Sequence, residues 1–490
     1  MRYRPYIRQG LEAWNKAFEA SGFKNAVVVK DAPDDPNWDP EDVRYSTVRW
    51  IVSSEPTFGA IGPSRVDPRT GEILDADILV EGSIVQRRLQ VFKRISSDPV
   101  AVEVLPTQQR WPSFIPEQYR CDAPIGIAEG SALAQIGMLV DGSLPAGQPL
   151  SEAYIGEMLR HVTLHEVGHT LGLRHNFRSS TSTPYEKLQD RAWTEQHGLE
   201  SSVMDYATPN LAAGHGKQGE YYATSPGDCD LWMIRYGYTP SGAAGVDADY
   251  AFARKIADES TLPGHEYSTD EDTYPADALD PRTNIWDLGD DPLRFAQDRA
   301  AYIASLWKSP KFEERILGPD GAYPTLRNAL DDLFGQYAIN LGLAVKYVGG
   351  QYSNRVHRGQ KLEPFVPVPA AKQREALDFL TQRAFAADAF KLPPELLKPR
   401  LRPQRQGIRD PERPAQCAHR ATAAGAPARG RDARSRAIPD VGAVRPADPH
   451  AVGRGRRRAG GHESAGRPEH AARAAAGLPR PARVAGGESV

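Results

Sequence analysis

The chain has 490 residues and a formal net charge of −3, and this charge averages two unlike pieces. Residues 401–490 contain 18 Arg, 8 acidic residues and no Lys, Phe, Tyr or Trp, whereas residues 1–400 contain 42 basic and 55 acidic residues. No run of about 18 apolar residues occurs, which excludes a membrane-spanning helix. The cysteines, Cys121, Cys229 and Cys417, have no CxxC spacing, which excludes a disulfide framework and a second metal site.

The first predicted element is an amphipathic helix that begins near Pro5 and ends at Gly22. Its apolar face is formed by Ile7, Leu11, Trp14 and Phe18. Strands are then predicted at residues 26–29, 47–52, 58–66 and 72–80. Because Pro63 cannot donate to a sheet ladder, the third strand is expected at a sheet edge. An edge strand could bind an extended peptide by strand addition, or it could simply end the sheet.

A long helix is predicted from Ser151 to Leu171, after a segment that is harder to interpret. Residues 84–97 have a helical pattern, and residues 98–150 are a Pro- and Gly-punctuated insertion whose fold the sequence does not indicate. Within the long helix, Ile155, Met158, Leu159 and Val162 lead onto one apolar face.

The chemistry of the chain is concentrated in the motif HExxHxxGxxH at residues 165–175. His165 and His169 are four residues apart, so they lie on one helix face within about 6 Å along the axis and can share a metal ion. Glu166 lies beside the first histidine, where its carboxylate can take a proton from a bound water. These residue types at this spacing predict a zinc site rather than an ordinary amphipathic helix.

His175 completes the predicted zinc site only if the helix ends before it. On an unbroken helix His175 would lie about 15 Å from His165, which is too far for a shared ion. Gly172 can adopt the left-handed conformation that ends a helix and reverses the chain. Three histidines then leave a fourth position for water, the usual arrangement of a catalytic zinc ion. His161, one turn before His165, is expected to pack or to support the ligands rather than to bind the metal.

The segment Ser201–Tyr206 resembles the Met-turn of the metzincin metalloproteases, because it follows the extended zinc motif. In that clan a methionine packs beneath the zinc-binding histidines, and Met204 matches it. In some metzincins a tyrosine two residues later reaches the metal or the developing oxyanion. Tyr206 occupies that place here, with a purely structural tyrosine as the alternative.

Beyond the Met-turn the sequence predicts mainly helices. Residues 230–238 begin an aromatic, helical region, and residues 326–345 and 371–385 have amphipathic helical patterns. Between them, carboxylates are frequent but lack the loop pattern of a calcium site, so solvated loops and helix caps are expected. These carboxylates are Asp270, Asp272, Asp287, Asp290 and Asp291.

The composition of residues 401–490 predicts a disordered tail, because it supplies too little apolar surface to offset chain entropy. Binding of nucleic acid is not expected, since no aromatic residues are interleaved for base stacking. One hypothesis is that this Arg-, Ala-, Pro- and Gly-rich segment results from translating a GC-rich gene in a shifted reading frame. Resequencing the gene near codon 400 tests that hypothesis.

Residues 14–23, 62–72, 165–177 and 203–206 together resemble a bacterial family of large metzincin zinc metalloproteases. The resemblance implies an α/β (α+β) fold with a twisted mixed sheet and a long zinc-binding helix. On this basis we expect an upper subdomain at 1–172 with an insertion at 98–150, a lower subdomain at 173–300, an α-helical module at 301–400 and the disordered tail at 401–490. The intact protein is expected to be longer and periplasmic or extracellular, although the first residues of this chain lack the apolar core of a signal peptide.

The predicted function is that of a zinc-dependent endopeptidase with one catalytic Zn²⁺ and an extended peptide or protein as substrate. Two alternatives stay open: an inactive, truncated zinc-binding fragment, and a zinc hydrolase acting on a non-peptide amide. Asn176 does not match the residue that follows the third histidine in the best-known metzincins. Their cleavage preferences therefore do not transfer, and the sequence gives no oligomeric state.

Overall fold

The computed structural model describes residues 2–52, 59–82, 121, 123–213, 216–273, 278–319, 321–397 and 482–487. All of these residues belong to one compact unit. The helices are α1 (Arg4–Ala13), α2 (Asn15–Ala20), α3 (Ala123–Asp141), α4 (Glu152–Thr170), α5 (Arg191–His197), α6 (Asp228–Tyr238), α7 (Val246–Ala257), α8 (Asp270–Thr273), α9 (Pro292–Lys308), α10 (Phe312–Leu317), α11 (Tyr323–Val345) and α12 (Ala370–Leu380). The strands are β1 (Val27–Asp31), β2 (Ser46–Ile51), β3 (Ala60–Ile61), β4 (Ser64–Val66), β5 (Ile73–Ala76), β6 (Ile78–Glu81), β7 (Gln351–Ser353), β8 (Phe365–Pro367) and β9 (Ala482–Gly487).

A five-stranded mixed sheet has the strand order β1-β9-β2-β6-β3. Strand β6 is parallel to β2 and antiparallel to β3, and β3 is the last of the described strands in this sheet. The single strand predicted at 58–66 is divided around Pro63 into β3 and β4, which belong to different sheets, and its first part has the predicted edge position among the described strands. Strand β9 lies parallel to both β1 and β2 and fills the gap between them. Disorder was expected throughout residues 401–490, and β9 is an exception, because sheet pairing uses backbone groups and does not require apolar side chains.

Helix α1 packs along α4, the helix that carries the zinc motif. A Cβ at Gly10 would lie 2.8 Å from the carbonyl oxygen of Arg160, so glycine permits this close approach. The single predicted N-terminal helix is divided into α1 and α2 at Trp14. Trp14 is fully buried, and its indole N–H donates to the carbonyl oxygen of Leu164. The N-terminal segment therefore supports the site helix directly.

Helix α4 matches the predicted zinc helix almost residue for residue. Ser151 caps its N-terminus by accepting a hydrogen bond from the backbone N–H of Tyr154. Helix α4 contacts β3 and β6 on the sheet side. The sheet edge and the metal-binding motif are therefore neighbours.

The helices that follow the site form a second packed group. Helix α3, from the second half of the insertion, packs against α9, α10 and α11. The helices predicted at 326–345 and 371–385 correspond to α11 and to α12 with its π-helical turn at Thr381–Phe385. The helix predicted at 84–97 and the insertion residues 98–120 lie outside the described residues. Among the helices described, none is long and apolar enough to cross a membrane.

Candidate metal centre

The three histidines of the motif converge on one point. The ring centroids of His165 and His169 are 4.8 Å apart, as expected for one turn of helix α4. The ring of His175 lies 5.5 Å from that of His165 and 4.8 Å from that of His169. The candidate ligand atoms of all three side chains lie within 4.8 Å of one another, close enough to share one ion.

Gly172 reverses the chain as the sequence predicted. Its φ is +89°, in the left-handed region that favours glycine. The N–H of Leu173 donates to Gly168 O, and the N–H of Gly172 donates to His169 O, which is the paired arrangement of a Schellman helix end. This reversal returns His175 to the face of α4 that carries the other two histidines.

The Nδ1 atom of each histidine is held by an acceptor, which fixes its tautomer. His165 Nδ1 lies 2.8 Å from Val203 O, and His169 Nδ1 lies 3.1 Å from Leu173 O. His175 Nδ1 lies 2.9 Å from the Oδ1 atom of Asp270. Carbonyl and carboxylate oxygens only accept, so each Nδ1 carries the proton and each Nε2 keeps its lone pair for a metal.

Burial favours the neutral forms of the His165 and His169 imidazoles. Burial lowers the pKa of His165 well below its ordinary value, and the neighbouring rings of His169 and His175 lower it further. Burial, followed by the electrostatic effect of the neighbouring His175, lowers the pKa of His169 to about 3. The Nε2 atom of His175 is buried without a hydrogen-bond partner. Neutral imidazoles with available nitrogens are what a zinc ion binds, so these residues fit zinc.

A fourth donor, Cys121, joins the histidines. Its Sγ atom lies 3.3 Å from His165 Nε2, and the sulfur and the three histidine nitrogens are all within 4.8 Å of one another. Cys121 is 2% exposed. The motif alone predicts water at the fourth position and connects no cysteine with the metal, so only the tertiary structure adds this donor.

Glu166 is buried beside the first proposed ligand, His165. The residue is 1% exposed, and neither of its carboxyl oxygens makes a hydrogen bond. Burial raises the pKa of Glu166 to about 8, and the nearby backbone amide of Gly62 offsets only part of this effect. A Cβ at Gly62 would lie 2.3 Å from the backbone oxygen of Glu166. The chain that leaves β3 therefore passes directly over Glu166.

The predicted Met-turn, Ser201–Tyr206, packs against the histidines, with Val203 O beside His165 Nδ1 and the ring of Tyr206 beside that of His175. Met204 is fully buried, and its Sδ atom is 2.2 Å from the position that a Cβ on Gly168 would occupy. Its backbone oxygen accepts a hydrogen bond from the N–H of Asn176, which ties the turn to the third histidine segment. The ring of Tyr206 packs 4.8 Å from the ring of His175. Both residues therefore pack against the histidine segments.

His161 lies outside the ligand cluster. Its ring stacks on Tyr222 at a centroid distance of 5.8 Å, and burial lowers its pKa to about 4. Sequence reasoning missed two residues at the centre, Cys121 and Asp270. Neither has a local signal: Cys121 precedes His165 by 44 positions, and Asp270 follows His175 by 95.

A buried acidic cluster, defined as Glu200, Asp205, Asp230 and Asp287, lies around the Met-turn. Burial, followed by the charge of Asp205, raises the pKa of Glu200 well above its ordinary value, and both Glu200 carboxyl oxygens lack hydrogen-bond partners. Burial raises the pKa of Asp230 and of Asp287 to about 6. These groups favour their protonated forms in the folded protein.

The acidic residues that were expected in solvated loops and helix caps divide into two kinds. Asp291 caps α9 by accepting from the backbone N–H of Arg294, as expected. For Asp287 the expectation is wrong, because this side chain is 1% exposed and accepts hydrogen bonds from Ser180 and Asn284.

Two histidines on one helix turn, a third after a glycine reversal and a methionine beneath them define a metal centre of the metzincin type. A family model described as Met-zincin matches residues 147–430, more than half of the chain. The chain belongs to the Met-zincin family, and membership implies a zinc-dependent protease. The match extends past residue 400, where the composition changes. No curated protein and no solved structure matches the chain.

Proposed function

We propose that this chain is a zinc-dependent endopeptidase in which His165, His169 and His175 hold one zinc ion and Glu166 is the general base. The observation that carries the proposal is the convergence of three Nε2 lone pairs beside a buried carboxyl group. Zinc bound there supplies Lewis acidity, which acidifies water and polarises a peptide carbonyl. The family membership supports the same reaction class.

Glu166 takes a proton from the attacking water and delivers it to the leaving amine. Its position next to a ligand on α4 directs the carboxyl group beside the metal rather than onto it. Because neither oxygen has another hydrogen-bond partner, the group is available for proton transfer.

Tyr206 and strand β3 complete the proposed site. Tyr206 packs against His165 and His175, at centroid distances of 5.9 Å and 4.8 Å, and its hydroxyl stabilises the developing oxyanion. Strand β3 is the last described strand of its sheet, and Gly62, which follows it, lies against the backbone of Glu166. A strand edge beside the general base can pair with an extended peptide, which favours a peptide over a small amide as substrate.

The test compares the full 490-residue chain with Glu166→Gln and with a matched control, Glu152→Gln. Glu152 lies in the first turn of the same helix and pairs with Arg2 on the surface. All three proteins should bind one zinc ion. Glu166→Gln should lose about 100-fold or more of the chelator-sensitive cleavage of casein, an unstructured substrate, whereas Glu152→Gln keeps it.

Wild-type activity in Glu166→Gln would show that the general base is assigned wrongly. Bound zinc with no cleavage by any of the three proteins would favour an inactive zinc-binding protein or a non-peptide substrate.

A further inference from the structure

Arg299 is a buried cation in the middle of helix α9. The residue is 6% exposed. Its Nη2 atom donates to the carbonyl oxygen of Pro209 at 3.1 Å, and its guanidinium lies over the ring of Phe295, 5.1 Å from the centroid. Its Nη1 atom is buried and has no hydrogen-bond partner among the described residues. One donor nitrogen of a buried charged group is therefore left unsatisfied by the described part of the protein.

No carboxylate of the described residues forms an ion pair with Arg299. The carboxylate next to it in sequence, Asp298, accepts instead from the hydroxyl of Tyr185 at 2.8 Å. The titratable neighbours with the largest effect on the pKa of Arg299 are tyrosines, of which Tyr302 is the first. Burial lowers this pKa, but a guanidinium stays protonated in proteins, so the positive charge persists.

A carbonyl oxygen and an aromatic ring do not balance a full positive charge. Both present only partial negative charge, and a buried ion normally has a partner of opposite charge because it has lost its hydration. Arg178 shows the usual arrangement in the same chain, since it is 7% exposed and its Nη1 atom lies 3.4 Å from the Oδ2 atom of Asp280. The charge of Arg299 therefore calls for an anion that the described side chains do not supply.

Tyr302 provides a second donor beside Arg299. It lies three residues further along α9, which places both side chains on one face of the helix. Its hydroxyl packs on α3, because a Cβ at Gly137 would lie 2.0 Å from Tyr302 Oη. Burial raises the pKa of Tyr302 to about 12, so this hydroxyl stays protonated and can donate a hydrogen bond.

The other hydroxyl groups at this helix junction already use their protons. Ser131 Oγ donates to the carbonyl oxygen of Ile127 at 2.7 Å, so it accepts from the hydroxyl of Tyr154 at 2.9 Å. The hydroxyl of Tyr222 then donates to that of Tyr154 at 3.0 Å. Tyr302 is thus the neighbouring tyrosine whose hydroxyl can serve an anion.

We propose that Arg299 Nη1 and the hydroxyl of Tyr302 together bind one halide ion, normally chloride, between α3 and α9. A singly charged ion balances one guanidinium, and a monatomic ion needs fewer donors and less space between packed helices than phosphate or sulfate. The ion stabilises the junction of α9, α3 and the segment after the Met-turn, because Pro209 accepts from the same guanidinium and packs against Gly130 of α3. This inference does not depend on the proposed peptidase function.

Thermal unfolding of the full 490-residue chain tests the site, with sodium chloride compared with sodium gluconate at equal ionic strength. A ligand that binds only the folded state raises the unfolding midpoint, so the wild-type midpoint should be about 3 °C higher or more in saturating chloride. Arg299→Met should lose this difference, and Tyr302→Phe should reduce it. The matched control is Arg294→Met, which should keep the difference, because Arg294 lies on the same helix but pairs with Glu186 at the surface.

Bromide provides a direct measurement on the unmutated protein, which decides the question if Arg299→Met fails to fold. Crystals soaked in sodium bromide should show an anomalous-scattering peak within hydrogen-bonding reach of Arg299 Nη1 and Tyr302 Oη. Peaks confined to surface residues would overturn the proposal. An equal chloride response in wild type and Arg299→Met would also overturn it, as would a midpoint loss in Arg299→Met that is the same in both salts, since the arginine would then have a purely structural role.

Discussion

Replacement of Asp270 should weaken zinc binding, because this side chain orients one of the three proposed histidine ligands. The Nδ1 partners of His165 and His169 are backbone carbonyls, which substitution cannot remove. His175 instead donates to the Oδ1 atom of Asp270 at 2.9 Å. Asp270 is therefore the position at which the support of a ligand can be removed without removing the ligand.

The expected loss of zinc affinity follows from the contact between Asp270 and His175 and from the solvent exposure of Asp270. Loss of a hydrogen-bonded carboxylate behind a metal-binding histidine reduces metal affinity about 10- to 100-fold, or about 1.4 to 2.7 kcal/mol. The Asp270 side chain is 34% exposed, so solvent screens part of its charge. Asp270→Asn, which keeps an acceptor oxygen, should lose about tenfold in affinity, and Asp270→Ala should lose more.

The assay is a zinc competition titration against a chelator of known affinity, with Glu271→Gln as the matched control. Glu271 lies next to Asp270 in α8 and carries the same charge, but its oxygens bind Arg174 rather than a histidine. The control should bind zinc as wild type does. Equal losses of zinc affinity in Asp270→Asn and Glu271→Gln would refute a specific role for the contact to His175. Such a result would show that the negative charge acts on the metal only at long range.

Three further predictions concern stability and the helix end. Gly168→Ala should destabilise the chain by about 1 to 3 kcal/mol in thermal unfolding, because the new Cβ meets Met204 Sδ at 2.2 Å. Gly335→Ala, at an exposed position of α11 with nothing within 4 Å, should stabilise the chain by up to about 1 kcal/mol. A gain in stability in both variants would show that the structure around Gly168 relaxes freely. Gly172→Ala should cost about 1 kcal/mol or more, since φ is +89°, and should weaken zinc binding by displacing His175; unchanged zinc affinity in a competition titration would contradict this. In the buried acidic cluster the pKa values are raised, so protonation of these carboxyl groups stabilises the folded protein. This protonation is complete near pH 4 and is lost as pH rises through about 6. The free energy of unfolding should therefore fall over that range by up to about 1.4 kcal/mol per pH unit for each proton. Glu200→Gln should flatten the profile from chemical denaturation at several pH values, and a parallel profile would exclude Glu200 as a contributor.

The sequence by itself determined the features that depend on local physics. Helix α4 begins where Ser151 can cap it, and it ends where Gly172 permits a left-handed turn. The four-residue spacing of His165 and His169 places both on one face regardless of what surrounds the helix. Pro63 excluded a central position for the neighbouring strand, because proline has no backbone donor.

The tertiary structure alone decided which distant residues join the site. A buried thiol has the same local pattern whether it packs against apolar groups or faces a metal, so Cys121 could not be recognised from its neighbours. The same holds for Asp270, whose acidic surroundings suggested only a solvated loop, and for Asp287, which is buried instead. Contacts that span 44 or 95 residues are fixed by packing between elements, and sequence spacing carries no record of such packing.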